Sequence, residues 1–313
     1  MHNLIATTAR ICVAASLLGF ALQATATEDG NHVSAMRYLS LEAQGDDASR
    51  QYSGTASFAL GSYAWLQGTV GKITTDSTSG LGDVQQFGVG TGFSNGTVRL
   101  RINFDQYKDD DSYQQRNLLA ALDWMGERLN VGLDISRRST NNSLDTVRDF
   151  PNLGLSSIAL HVDEKLTGNG IGLHADFSIT DALSISLGGM SYHYDSNYEL
   201  SSSTNPLLIR RVLTKYPTLS ELVYLNNSNV TRSLALLDNS YNLGLTYQFS
   251  NVALSALYLR DQALNDETLT DTGIISAAVF IGDRWMLSPA LGRSHNSQVK
   301  GITFGGISLS YNW

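Results

Sequence analysis

The chain has 313 residues with 28 glycines, four prolines and a single cysteine, Cys12. Its formal net charge of −8 is the opposite of the basic surface that nucleic-acid binding requires, so nucleic acid is excluded as a partner. A lone cysteine cannot form an intramolecular disulfide, and the glycine-rich, proline-poor composition favours closely packed strands and turns over a disordered secreted chain.

The first 26 residues have the order of a cleavable secretory signal. Arg10 provides a positive charge, residues 11–22 form a short apolar segment, and the small residues at 24–26 suit a signal peptidase. The apolar segment has about a dozen residues, whereas a membrane-spanning helix needs roughly 20. We therefore expect residues 1–26 to be removed, and residues 27–313 to function outside the cytoplasm without any cysteine.

Strict alternation of apolar and polar residues recurs along the rest of the chain. The clearest examples are residues 97–105, 129–137, 169–179 and 241–249, where every second residue is apolar. This alternation is typical of a β-strand with one apolar face and one solvated face. No comparable helical period appears between about residue 34 and residue 193.

The connections between the predicted strands are alternately short and long. Asn95-Gly96 is a strong signal for a two-residue hairpin, because both residues accept a positive φ. Short turns at one end and long polar loops at the other are typical of a transmembrane β-barrel. Seven strand pairs predict 14 strands, and an additional pair at 154–168 would give 16. The predicted long connections are 44–51, 74–83, 108–112, 139–168, 195–238, 261–272 and 293–301.

The four tryptophans all lie at the predicted short-turn end of the strands. Trp124, Trp285 and Trp313 are on the apolar face by parity, while the face of Trp65 is ambiguous. Aromatic side chains form girdles where a transmembrane barrel meets the interface between lipid and water. A soluble β-sandwich is the alternative, but the signal peptide, the missing disulfides and the unequal loops favour the membrane barrel.

The last nine residues, GGISLSYNW, place Ile307, Leu309, Tyr311 and Trp313 on one face of a terminal strand. This terminus resembles the closing strand of Gram-negative outer-membrane proteins, which end in an aromatic residue preceded by alternating apolar residues. The resemblance extends to the whole mature chain as architecture and to no particular subfamily. It implies an outer-membrane location, contact with outer-membrane lipid, and recognition of the terminal strand by the barrel-assembly machinery.

The polar faces of the predicted strands carry charged side chains. Because an isolated buried charge is costly, these side chains must line water or pair with one another. A 14-stranded barrel is wide enough that its side chains need not fill it, so we interpret them as lining a solute pathway. A closed interior crossed by salt bridges is the alternative. The predicted lining residues are Arg99, Arg101, Asp105, Asp123, Asp134, His174 and Asp176.

The connection 195–238 is predicted to contain two short helices. Pro206 suits the first position of one helix, Pro217 ends it, and residues 218–221 form a capping box for the next. A dense basic cluster within the first helix predicts a positive constriction that favours anionic solutes. Alternatively, the segment caps the surface and its cations contact lipopolysaccharide phosphates or another loop. The basic residues are Arg210, Arg211 and Lys215.

Two histidine–serine pairs raise the question of a lipid hydrolase. His295 and Ser297 resemble the His-x-Ser arrangement of outer-membrane lipid hydrolases, although Gln298 stands where an asparagine is usual and the pair lies in a predicted loop. Ser191 and His193 form a similar pair at the top of another strand. We interpret both pairs as solvated polar residues and predict no enzymatic activity.

Metal and cofactor sites are not predicted, because the six histidines are scattered and no glycine-rich phosphate loop is present. The sequence therefore predicts a porin-like outer-membrane channel for passive transport of small solutes, with anions favoured. A non-conducting surface barrel, acting as an adhesin or structural protein, is the second hypothesis. A lipid hydrolase is the third.

Overall fold

The computed structural model describes residues 37–46, 49–75, 83–109, 113–150, 155–201, 237–263, 269–296 and 301–313. These residues form one closed antiparallel barrel of 14 strands, in which each strand pairs with its neighbours in the chain and the last strand pairs with the first. The predicted all-β barrel and its strand number are confirmed, and the 16-strand alternative is wrong. The predicted signal peptide lies outside the described residues.

The strands are β1 (Tyr38–Gly45), β2 (Ser49–Leu60), β3 (Ala64–Thr75), β4 (Val84–Ser94), β5 (Val98–Lys108), β6 (Tyr113–Met125), β7 (Leu129–Phe150), β8 (Leu155–Ser178), β9 (Leu183–Ser201), β10 (Leu237–Gln248), β11 (Val252–Ala263), β12 (Leu269–Ile281), β13 (Trp285–Asn296) and β14 (Ile302–Asn312). No helix within the described ranges is long and apolar enough to cross a bilayer.

The short turns form where the sequence predicts them. Gly96 adopts a φ of 87°, which an L-residue with a side chain rarely adopts, and it follows Asn95 at the tip of the β4–β5 hairpin. The Asn95 side-chain oxygen accepts a hydrogen bond of 2.8 Å from the backbone N–H of Val98. The turn is therefore stabilised both by glycine at the positive φ and by the asparagine side chain.

Residues 139–168 were predicted as a long connection, and this prediction is wrong. Residues 139–150 and 155–168 belong to the upper parts of β7 and β8, whose antiparallel register continues from Ser143 opposite Asp163 to Arg148 opposite Ile158. No glycine or proline interrupts residues 139–150, and Pro151 follows immediately. A strand that extends above a membrane is solvated on both faces, so it lacks the apolar alternation by which the other strands were recognised.

The same effect shortens several other predicted loops. β9 continues to Ser201, within the predicted connection 195–238. β11 and β12 take up both ends of the predicted loop 261–272, and β13 continues to Asn296. His295 consequently lies in a strand, not in the predicted loop.

The outer face of the barrel is an apolar belt. Leu100 is 40% exposed and Leu173 is 65% exposed, and both belong to the alternating apolar rows of their strands. So large a continuous apolar surface is incompatible with water and suits hydrocarbon. Trp124, Trp285 and Trp313 lie on this face with exposures of 52%, 45% and 45%, as their parity predicts.

Trp65, whose face the sequence left ambiguous, lies on the inner face of β3 and is only 4% exposed. Its ring covers Gly92 on the neighbouring strand β4, where an added Cβ would lie 2.2 Å from the indole. Three tryptophans therefore belong to the lipid-facing surface, and the fourth packs against the inner wall at the same end.

The barrel closes through β14 and β1. Ile307 pairs with Ala43, Leu309 with Leu41 and Tyr311 with Leu39, which continues the outer apolar belt across the seam. The backbone N–H of Trp313 donates a 3.2 Å hydrogen bond to the carbonyl of Arg37. Closure gives every strand a partner on both sides, which is a condition for crossing hydrocarbon.

Candidate functional site on the inner wall

Five of the seven predicted lining residues meet on the inner face of β5 to β8, around the carboxylate of Asp123. The Nε of Arg99 donates to Oδ2 of Asp123 at 2.7 Å, and the Nη2 of Arg101 donates to Oδ1 at 3.3 Å. Strand register explains the meeting, because Arg99 lies directly opposite Asp123 in the β5–β6 pair. The two arginines on alternate positions of β5 therefore share one carboxylate.

His174 joins this carboxylate to a second one. Its Nε2 lies 2.7 Å from Oδ1 of Asp123 and its Nδ1 lies 2.7 Å from Oδ2 of Asp134. Ionised carboxylates only accept hydrogen bonds, so two such contacts require N–H groups on both ring nitrogens. The geometry therefore fits the imidazolium form of His174, which adds a third cation to the cluster.

Gly132 makes the contact between His174 and Asp123 geometrically feasible. In the strand register Gly132 lies between them, opposite Asp123 on β6 and opposite His174 on β8. A Cβ at Gly132 would lie 2.2 Å from the His174 ring and 2.5 Å from Oδ1 of Asp123. The two side chains thus meet over a strand position that has no side chain of its own.

The cluster covers its central carboxylate and leaves its cations partly accessible. The side chain of Asp123 is 1% exposed, whereas those of Arg99, Arg101 and His174 are 17%, 21% and 23% exposed. Charge-assisted hydrogen bonds offset the cost of burying Asp123. The part of the cluster that faces the interior therefore presents two guanidinium groups and an imidazole beside one carboxylate, that of Asp134, which is 17% exposed.

The other two predicted lining residues lie near this cluster without joining its ion pairs. Asp105 lies on the inner face of β5, opposite Gly88, where an added Cβ would come within 2.5 Å of the carboxylate. Asp176 lies two residues from His174 on β8. Neither forms an ion pair with another residue in the described part of the chain.

A track of uncharged polar side chains, which the sequence analysis missed, crosses the inner wall nearer the long-loop end. Gln44 donates to Gln51 at 3.0 Å, Gln51 donates to Gln86 at 3.4 Å, and Gln86 donates to Tyr107 at 3.2 Å. The last two glutamines meet across Gly71, where a Cβ would lie 2.9 Å from the Gln86 side chain. Parity within each strand could have placed these residues inside, but only the register brings them together.

A second polar contact on this wall involves Arg138 and Tyr192. The Arg138 Nη2 donates to the Tyr192 hydroxyl at 2.8 Å, and its guanidinium carbon lies 4.3 Å from the centre of the Tyr192 ring. The Tyr192 side chain covers Gly170 of β8. Large side chains therefore lie flat over glycines along this wall, which keeps them out of the barrel axis.

The inner face of β11 to β14 carries apolar clusters among small polar side chains, contrary to the expectation of a uniformly polar interior. Leu259, Ile274 and Phe304 form one buried cluster there, and Ala253, Ala278 and Met286 form another. Residues 273–281 are nearly all apolar or small, so no alternation marks which of them face inward. The interior consequently has a charged wall on β5 to β8 and a wall on β11 to β14 that combines apolar clusters with hydroxyl side chains.

The predicted loop constriction, Arg210, Arg211 and Lys215, lies outside the described residues.

The two predicted histidine–serine pairs do not form a site in the described residues. Ser191 and His193 lie exposed on the outer face of β9, because Tyr192 between them points inward. His295 is also on the outer face, opposite Asp271. The Asp271 carboxylate instead contacts the Tyr258 hydroxyl and the Arg260 guanidinium, and Ser297 lies outside the described residues. Within the described part of the chain, no group of three or more His, Cys, Asp or Glu side chains could hold a metal ion.

No protein-family model matches the sequence, and no curated protein matches it. Among solved structures, the chain is similar to a KdgM porin at 10% identity and a TM-score of 0.42, covering 88% of this chain and 99% of that one. It is also similar to the translocator domain of the autotransporter NalP from Neisseria meningitidis at 13% identity and a TM-score of 0.44, covering 97% and 98%. OmpT, an outer membrane protein of Vibrio cholerae, matches at 11% identity and a TM-score of 0.40, covering 88% and 96%.

At these sequence identities and TM-scores, the chain is not assigned to the family of any of the three proteins. The closed strand order, the exposed apolar belt and the charged inner wall define the class on physical grounds. The protein is a transmembrane β-barrel of the outer-membrane type.

Proposed function

We propose that this protein is a bacterial outer-membrane channel through which small polar solutes diffuse passively. The observation that carries the proposal is the partly exposed cluster of Arg99, Arg101 and His174 on the inner wall. Charged groups on the inside of a membrane barrel are stable only where they are paired or in contact with water. In this cluster they are paired on one side and exposed on the other.

The width of the barrel supports an open interior. Fourteen strands about 4.8 Å apart and tilted by about 40° enclose a cylinder of about 28 Å diameter between backbones. Barrels of about eight strands are filled by their side chains, whereas those of about 16 leave an aqueous channel. Glycines beneath Tyr192, Trp65 and Phe304 let these rings lie against the wall, which preserves the free width.

The exposed guanidinium edges favour solutes that carry hydrogen-bond acceptors, and among ions they favour anions. Arg99 and Arg101 share the single buried carboxylate of Asp123, and both guanidinium side chains remain partly exposed to the interior. The constriction predicted from Arg210, Arg211 and Lys215 would act in the same direction, and its contribution stays a prediction.

Reversal potentials in planar bilayers test this proposal. Asp123→Asn removes the negative charge beneath three cations, so we expect a shift of the reversal potential towards anions. Arg101→Gln removes one cation, and we expect the opposite shift. Arg116→Gln, on the outer face, is the matched control and leaves the reversal potential unchanged. A barrel that folds but gives no conductance in any variant would exclude the channel.

A non-conducting surface barrel is the second candidate. The observation in its favour is the length of β7 and β8, which have 22 and 24 residues against 8 to 13 in most of the other strands. Their paired ends extend beyond the apolar belt and offer a rigid surface for binding. A sealed barrel whose binding to a cell or a matrix is lost when residues 144–161 are replaced by a short turn would establish this function.

The proposed location implies further partners. A signal peptide at residues 1–26, both ends of the mature chain in the periplasm, and folding by the barrel-assembly machinery all belong to this proposal. The outward row of Ile307, Leu309, Tyr311 and Trp313 on β14 is the segment that the machinery would recognise. No cofactor is part of the proposed function.

A further inference from the structure

The outer face of the barrel carries a row of basic side chains at the long-loop end of the apolar belt. Its members all have the parity of the lipid-facing residues in their strands and all are exposed. We refer to them as the basic collar, which consists of Arg50, Lys72, Lys108, Arg116, Arg137, Lys165, Arg260 and Arg293.

Seven members of the collar lie at similar heights, eight to ten residues from the short-turn end of their strands, and Lys165 lies thirteen residues from it. Lys72 and Arg293 are each eight residues from that end of their strands, which begin at Ala64 and Trp285. At about 2.5 Å of height per tilted residue, eight residues correspond to about 20 Å, close to the height of about 25 Å of a lipid-facing apolar band. These seven cations therefore lie where the acyl chains of the distant leaflet meet their headgroups, and Lys165 lies above them.

The net charge of the outer face at the collar is positive, whereas the net charge of the whole chain is negative. The chain has 29 acidic and 21 basic residues. On the outer face at collar height, by contrast, the side chains that the structure describes comprise eight cations and three carboxylates, those of Asp83, Asp195 and Asp271. A positively charged surface on an acidic protein is complementary to an anion. The charged groups found at this depth of a membrane are lipid headgroups.

A groove in the outer face is lined at one end by a member of the collar, Arg293. It has a volume of about 710 Å³ and lies between Leu243 and Leu245 on one side and Leu291 and Arg293 on the other. Tyr258 and Thr303 also line it. The groove is apolar except at its upper end, where the Arg293 guanidinium and the Thr303 hydroxyl are exposed. A groove of this form suits an acyl chain attached to an anionic headgroup.

The floor of the groove exists because residue 273 is glycine. In the register Gly273 lies between Tyr258 of β11 and Arg293 of β13, so these two side chains flank an empty strand position. A Cβ at Gly273 would meet nothing within 4 Å, and Gly273 is not among the glycines with a positive φ. Neither packing nor backbone conformation requires glycine here, and its effect on the structure is to keep the groove open.

We propose that this groove, together with the collar residues Arg260 and Arg293, binds one acylated, phosphorylated lipid of the outer leaflet, of the lipopolysaccharide type. An acyl chain lies over Gly273, and a phosphate contacts Arg293 and Thr303. Arg260 lies on the neighbouring strand pair, where its Nε is 3.6 Å from Asp271, and it contributes positive charge to the same site. A second copy of the chain is a poorer occupant, because it would bring its own collar against this one. The proposal depends on the membrane fold and not on channel activity.

Native mass spectrometry of the refolded mature chain in neutral detergent tests the site. The probes are diphosphoryl lipid A and a zwitterionic phosphatidylethanolamine. We expect lipid A to bind preferentially, with one molecule retained per barrel. Gly273→Leu fills the groove and Arg293→Gln removes the phosphate contact, and we expect each to weaken lipid A binding by about tenfold.

Matched controls separate a local site from general charge. Gly68→Leu places the same side chain at an outward glycine of β3 that also has nothing within 4 Å of its Cβ position. Arg116→Gln removes a collar cation far from the groove. We expect both controls to fold, as shown by heat-modifiable migration on gels, and to bind lipid A as the unaltered protein does.

Unchanged lipid A binding in folded Gly273→Leu and Arg293→Gln would overturn the proposal. Equal loss in the controls would overturn it as well, because it would indicate diffuse attraction to the collar. Displacement by millimolar inorganic phosphate, with no advantage for the acylated lipid, would identify an anion site instead. A change in oligomeric state in Gly273→Leu would assign the groove to a second copy.

Discussion

Gly132 shows how much a missing side chain contributes to the inner wall. The contact between His174 and Asp123 crosses β7, and it exists only because the position between them carries no Cβ. The charged residues of the cluster could be assigned to the inner face from alternation within each strand. Their grouping could not, because it depends on which residues lie opposite one another on four different strands.

Gly132→Ala is expected to destabilise the barrel by about 2 kcal/mol, because the new methyl group overlaps the His174 ring and separates it from Asp123. Unfolding by urea in detergent micelles measures the change. Gly68→Ala is the matched control, and we expect its effect to remain below about 0.5 kcal/mol. Equal stability of the two variants would show that the His174–Asp123 contact contributes little.

The 11 residues of strand β14 alternate between a face that contacts lipid and a face that points into the barrel. Its outward residues continue the apolar belt, whereas Ser308 and Ser310 face inward, where the Ser310 hydroxyl donates to Ser40 at 3.0 Å. The alternation that predicted this strand is thus also the reason why it can close the barrel. The extended ends of β7 and β8 show the converse, since a strand with water on both sides carries no such pattern.

Ile307→Arg tests the lipid-facing assignment of β14. Ile307 is five residues from Asn312, which places it near the middle of the apolar belt, and it is 49% exposed. An arginine at that depth costs about 2–4 kcal/mol. We expect a corresponding loss in the free energy of unfolding measured in lipid vesicles.

The control for this variant is Ser308→Arg, the adjacent residue on the inner face. Its guanidinium would lie opposite Glu42 of β1, so we expect the loss to remain below about 1 kcal/mol. A larger loss for Ser308→Arg than for Ile307→Arg would reverse the assignment of the two faces.

The barrel as a whole has an apolar outer surface suited to hydrocarbon and an interior that contains charged, polar and apolar side chains. Its interior is asymmetric, with charged groups on β5 to β8 and apolar clusters on β11 to β14. The exterior is asymmetric along its height, with aromatic side chains at the short-turn end and the basic collar at the other. We expect these distributions to orient the molecule in a membrane whose two leaflets differ in charge.

Quenching by brominated acyl chains is expected to distinguish the four tryptophans. In single-tryptophan variants refolded into vesicles, Trp124, Trp285 and Trp313 contact lipid and should be quenched. Trp65 lies on the inner face, so its emission should be unaffected. Quenching of Trp65 to the same extent, or a folded and soluble chain in detergent-free buffer, would contradict the transmembrane barrel.

Alternation, turn residues and loop lengths were enough to predict the strand number, the closed barrel and the inward position of Arg99, Asp123 and His174. Each of these features depends on residues close together in the chain, since the period of two and the glycine turns are local properties. The apolar clusters on the inner wall of β11 to β14 were not predicted, because residues 273–281 are nearly all apolar or small on both faces and carry no period.

The ion-paired cluster, the glutamine track and the outer groove were determined by the tertiary structure alone. Each depends on the register between several strands of the barrel. Each also depends on a glycine, Gly132, Gly71 or Gly273, whose role can be recognised only when its neighbours on the adjacent strands are known. Local sequence fixes which face a side chain points to, because a strand has only two faces. Which side chains meet on that face is set by backbone hydrogen bonding between strands, and no single strand carries that information.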